Sequence, residues 1–68
     1  MKLNIDKFNE LTKHYNDIHL AKLMGISRYM IWRARQGYNV GGKFVKGFKE
    51  TFPKAKFEDY FFIVSVNK

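Results

Sequence analysis

The sequence predicts a mainly α-helical single domain, residues 1–68, built of five short helices, with the two chain ends available for a short two-stranded ribbon. Three observations lead there. Apolar residues recur at helical spacing in several short segments. Asparagine, serine, glycine and proline punctuate those segments where helices start and stop. Residues of β character crowd into one run only, Phe61-Phe62-Ile63-Val64-Ser65-Val66.

The first helix is expected from Ile5 or Lys7 to His14 or Tyr15, because Ile5, Phe8, Leu11, Thr12 and Tyr15 fall on one face. Asn4 and Asp6 compete as its N-cap. With Asn4 as the cap, Leu3 and Phe8 occupy the positions of a hydrophobic staple. With Asp6, Met1 to Ile5 is left free to be extended. His14 sits near the expected helix end and has no ligand role.

The stretch from Asn16 to Gly37 reads as two short helices meeting at a sharp turn. Asn16 is a natural N-cap for the first of them, which ends at Met24–Gly25, with Leu20, Ala21, Leu23 and Met24 expected inward. Ala21 is small enough for a second helix to cross closely. Gly25 can take the positive φ that ends a helix abruptly. Ser27 caps the following helix, residues 28–36, and Gly37 stops it. At about 100° per residue, Met30, Ile31 and Ala34 form a buried arc. Arg28, Tyr29, Trp32, Arg33 and Gln36 cover the opposite side, flanked by Arg35. Solubility alone does not select two aromatics and two arginines for an exposed arc. Trp32 has a second reading, as a core aromatic bent away from its wheel position.

Tyr38 to Gly42 is a loop, and a fourth helix follows from Lys43 to Thr51. Phe44, Val45, Phe48 and Phe52 form its apolar stripe, and Pro53 forbids its continuation. A short fifth helix is expected over Phe57 to Phe61. The β-like run 61–66 could pair with Met1–Ile5, pair with its counterpart in a second subunit, or pack without regular structure. Pairing with the N-terminal segment is favoured, since these are the only extended-looking stretches, and helices must back such a ribbon.

The formal charge is +7, and its distribution matters more than its size. Residues 1–27 have a net charge of +1 and residues 57–68 a net of −1, while residues 28–56 carry three Arg and five Lys against Glu50 alone, a net of +7. A solvated basic surface is one reading, but segregation of this kind suits a face for a polyanion.

Several classes are disfavoured. With no cysteine and two histidines, His14 and His19, disulfides and thiolate metal sites are excluded and a structural zinc site is not expected. No apolar run approaches membrane-span length and no signal peptide is recognised, so an intracellular protein, cytoplasmic in a bacterium or a phage host, is expected. His19 has no nucleophile or paired carboxylate near it. Gly41-Gly42-Lys43 is a fragment of a phosphate loop that follows no strand. The chain is not expected to be an enzyme, nor to hold a metal, a cofactor or a small-molecule ligand.

The pattern Ala21-x-x-x-Gly25-Ile26-Ser27-x-x-x-Ile31 with Gly37 resembles the helix-turn-helix of lambda-repressor/Cro-like proteins, especially small phage-type regulators of Gram-positive bacteria. The resemblance extends from Asp6 to Phe62, since GKFVKGFKETFPKAKFEDYFF is similar to the last two helices of that family. It implies a five-helix lambda-repressor-like domain that regulates transcription by binding a double-stranded DNA operator, as a homodimer on an inverted repeat. The second helix of the motif would enter the major groove. Base contacts are then assigned to Ser27, Arg28, Tyr29, Trp32 and Arg33, with the two arginines reading guanine. Phosphate contacts are assigned to Asn16, Tyr38, Asn39, Lys43 and, more weakly, Lys46. The family often has a glutamine where Asp17 stands, and this departure shifts weight to Asn16 and Asn39. An alternative is a protein-interaction module, an antirepressor or polymerase-binding factor, using the same aromatic face. RNA binding is weaker, because the aromatics lie on a helix and not on an open sheet.

Overall fold

The computed structural model describes residues 1–63. It is mainly helical, with five helices and one two-stranded antiparallel sheet, in the order β1 (Lys2–Leu3), α1 (Ile5–Leu11), α2 (Asp17–Met24), α3 (Arg28–Arg35), α4 (Gly42–Thr51), α5 (Phe57–Tyr60) and β2 (Phe61–Phe62). Among the described residues no helix is long and apolar enough to cross a membrane.

The ends of the chain pair within the subunit, Lys2 opposite Phe62 and Leu3 opposite Phe61. Further bonds fix this ribbon: the Asn4 N–H donates to the Tyr60 carbonyl at 2.7 Å, and the Val40 N–H to the Met1 carbonyl at 2.7 Å. The strand expected over 61–66 is confined to Phe61–Phe62; Ile63 is outside it, and 64–66 lie outside the described residues. Phe61 is therefore a strand residue and not the last residue of α5.

Asn4 is the N-cap of α1, its side chain accepting from the Lys7 N–H, and Leu3 and Phe8, both buried, hold the staple positions. The two alternatives for the N-terminus prove compatible, since Leu3 is also in β1. α1 stops at Leu11, one turn short of the expected end. Thr12 ends it by directing both its N–H (3.0 Å) and its hydroxyl (2.7 Å) to the Phe8 carbonyl. His14 consequently lies beyond the helix, and Tyr15 is exposed, packing edge-on against Phe52.

The core is built on Phe8, Leu20, Ile31, Phe44 and Phe48, each 0–1% exposed, with Leu3, Ala21, Met24, Ala34 and Phe61 around them. Leu23, expected inward, is 47% exposed. Its contribution comes through the backbone, for its carbonyl accepts from the Thr51 hydroxyl at 3.1 Å and ties the end of α2 to the end of α4. These helices run very close, because α4 presents the buried Gly47 to the Met24 carbonyl.

Candidate nucleic-acid interface

The orientation of α3 is set at both ends by local chemistry. Asn16 caps α2 by accepting from the His19 N–H at 2.7 Å, and Ser27 caps α3 by accepting from the Met30 N–H at 3.2 Å. Gly25, at φ 69°, closes α2: the Ile26 N–H reaches the Ala21 carbonyl at 3.0 Å and the Gly25 N–H the Lys22 carbonyl at 3.3 Å. The same device ends α3. Gly37, at φ 92°, lets the Tyr38 N–H reach the Arg33 carbonyl at 3.1 Å and its own N–H the Ala34 carbonyl at 3.2 Å.

Between these caps α3 buries Ile31 and Ala34 and half-buries Met30, so its opposite side faces solvent. Arg28 is exposed, Tyr29 is 60% exposed and Trp32 50%. Trp32 is not a core residue: it stacks on Tyr29 with ring centroids 5.9 Å apart and planes 18° apart. An open groove between the start of α2 and α3 brings together Asn16, Asp17, Ile18, Arg28, Tyr29 and Trp32. Asn16 uses its side-chain oxygen for capping, which leaves its amide N–H₂ free to donate into that groove.

A second cleft, at the far end of α3, is lined by Met30, Arg33, Asn39, Val40, Gly41 and Phe44. Lys43 is exposed on the first turn of α4, which has no side-chain cap. Tyr38 is turned back over Arg33, the guanidinium carbon lying 4.4 Å from its ring centroid. Ser27 is exposed at the start of α3. Lys46 stands apart from the others, in a groove with Met1, Val45, Lys49 and Phe57 that includes no α3 residue.

Sequence reasoning singled out Asp17 but missed what it does. Its carboxylate sits 3.3 Å from an Arg35 guanidinium nitrogen, and Arg35 also donates to the Thr12 hydroxyl at 3.1 Å while lying over the Phe8 ring. Asp17 thus props α3 from within the protein and links α1, α2 and α3. A signal was present: Arg35 has no acidic residue three or four positions away, so any ionic partner had to come from elsewhere in the chain. Ile18, 54% exposed on the rim of the first groove, was also missed.

Among the described residues, Arg35 is the only cation of residues 28–56 in an ion pair. Arg28, Arg33, Lys43, Lys46, Lys49, Lys54 and Lys56 have no carboxylate at salt-bridge distance among the described residues. No family model matches the chain, and neither a curated protein nor a solved structure matches it at a significant level.

Proposed function

We propose that this chain is a sequence-specific double-stranded-DNA-binding transcriptional regulator of the lambda-repressor/Cro kind, with α3 as the helix that enters the major groove. The observation that carries the reading is the solvent side of α3. A short helix, capped at both ends, offers Arg28, Tyr29, Trp32 and Arg33 together while its other side is in the core. An α-helix fits the major groove, and guanidinium forks match the guanine edge there. The uncompensated cations supply the general attraction to phosphate. Asn16 and the open start of α4 with Lys43, on either side of α3, are the phosphate contacts that would fix its register.

A single module of this size has little contact area, and two copies on an inverted repeat, with half-sites about one helical turn apart, supply more. The second reading, docking on another protein, is favoured by the stacked and half-exposed Tyr29–Trp32 pair.

The test is selection from a random duplex library at physiological salt, with Arg28→Ala and Arg33→Ala in parallel. The expected result is a palindromic motif whose guanines become degenerate in the variants. Enrichment of an unpaired half-site would remove the homodimer and keep the readout. Binding without enrichment, fading uniformly with salt, would leave a basic DNA coater, and absence of binding would favour the protein-docking reading.

A further inference from the structure

We propose that Tyr38 is a specificity-determining positioning residue, which clasps Arg33 and so holds its guanidinium in place for a guanine. The proposal rests on the DNA-binding reading above. Although α3 turns Arg33 toward solvent, this residue is half-buried, and two aromatic rings lie beside its guanidinium. Its guanidinium carbon lies 4.4 Å from the Tyr38 ring centroid and 5.7 Å from that of Tyr29, both within cation–π range. An Nη1 N–H donates to the Tyr29 hydroxyl at 3.4 Å, a long bond. Among the described residues no carboxylate pairs with Arg33.

The backbone explains how Tyr38 comes to be there. It follows Gly37, and the left-handed turn at that glycine brings the Tyr38 N–H back to the carbonyl of Arg33 itself. The bond that closes α3 therefore also delivers the ring to the side chain it covers. Held over a phenol ring, the guanidinium is screened on that side from a base or sugar. Its remaining in-plane donors suit two acceptors side by side, as guanine O6 and N7 provide. A long arginine side chain ordinarily loses rotamer freedom on binding, and a clasped one has lost part of it beforehand. A phosphate could use the same edge, so the experiment must tell the two apart. In this account Tyr38 acts through Arg33 and makes no phosphate contact of its own.

The probe is the selected duplex with 7-deazaguanine at the guanine that Arg33→Ala renders degenerate. Native protein should bind the modified duplex more weakly by roughly 5-fold or more, since N7 is one of the two acceptors of a bidentate pair. Tyr38→Phe, which keeps the ring, should retain that penalty. Tyr38→Leu and Arg33→Lys should lose most of it, with little change in the salt slope of binding. Tyr38 is 49% exposed, so the leucine variant should fold, and circular dichroism checks this. A full penalty in Tyr38→Leu would overturn the proposal. So would a Tyr38→Phe variant that binds the native and the modified duplex more weakly by the same factor, which would mark a hydroxyl–phosphate contact. A selected motif without a guanine that depends on Arg33 would also overturn the proposal, whereas selection that enriches no motif at all would sink the DNA reading itself, a result distinct from an unchanged penalty.

Discussion

Replacing Gly47 by alanine should destabilise the domain, against the usual trend for glycine in a helix. In an unobstructed helix interior the change gains about 1 kcal/mol, since alanine has the higher propensity. Here Gly47 is buried, and a Cβ built on it overlaps the Met24 carbonyl oxygen and lies 3.0 Å from both the carbonyl carbon and Cβ of Met24. The colliding atom belongs to the backbone, so no rotamer change relieves the overlap. α4 must retreat from α2 by on the order of an ångström. That retreat stretches the Thr51–Leu23 hydrogen bond, now 3.1 Å, and loosens Phe44 and Phe48, each 1% exposed. Overpacking costs about 1–3 kcal/mol, and a backbone collision belongs at the upper end. After the gain in propensity, about 2 kcal/mol of stability should be lost. For a domain of this size Tm falls about 4–8 °C per kcal/mol, so the melting point should drop by about 8–16 °C. Thermal and urea unfolding followed by circular dichroism measure this. Gly42→Ala, whose Cβ meets nothing within 4 Å, is the control and should stay within about 0.5 kcal/mol of the native protein. A Gly47→Ala protein that melts at or above the native temperature would refute the close α2–α4 crossing.

Three further predictions concern the frame and face of α3. Gly25→Ala meets no neighbour but forces a side chain to φ 69°, and should cost about 1–2 kcal/mol by urea unfolding, with Gly25→Asn milder. Asp17→Ala should cost at most about 1 kcal/mol, because the pair with Arg35 is partly solvated, and a double-mutant cycle with Arg35→Met isolates the coupling. Arg28→Ala should leave stability within about 0.5 kcal/mol, since Arg28 is exposed and has no ion pair among the described residues, yet weaken binding to the selected duplex by about 1–3 kcal/mol in fluorescence anisotropy.

What could be read in advance was local. Asn16, Ser27, Gly25 and Gly37 do their work through hydrogen bonds that span three to five positions, and such bonds are written in short stretches of sequence. The inward arc of α3 followed from its period alone, and the pairing of the chain ends from the scarcity of extended segments. The misses share a different cause. α1 ends early where Thr12 bonds back to Phe8, a turn also held by Arg35 from 23 residues away. Leu23 lies at the edge of its arc, where the wheel does not separate core from rim. Gly47 carries no local sign of its importance, because only the nearby Met24 carbonyl makes a side chain intolerable. The clasp on Arg33 combines a local cause, the turn at Gly37, with a ring orientation that no periodicity reports. Which side of α3 is exposed was therefore legible in the sequence, whereas the struts that hold it, Asp17–Arg35 and Tyr38–Arg33, were not.

Amide chemical-shift mapping during titration with the selected duplex would show whether the exposed side of α3 is the surface that meets DNA. The largest shifts are expected at residues 27–33, at Asn16, and from Tyr38 to Lys43, with α1 and α5 nearly unmoved. Shifts concentrated instead around Lys46, Lys49 and Phe57, or along the β1–β2 ribbon, with α3 unchanged, would contradict that role of α3.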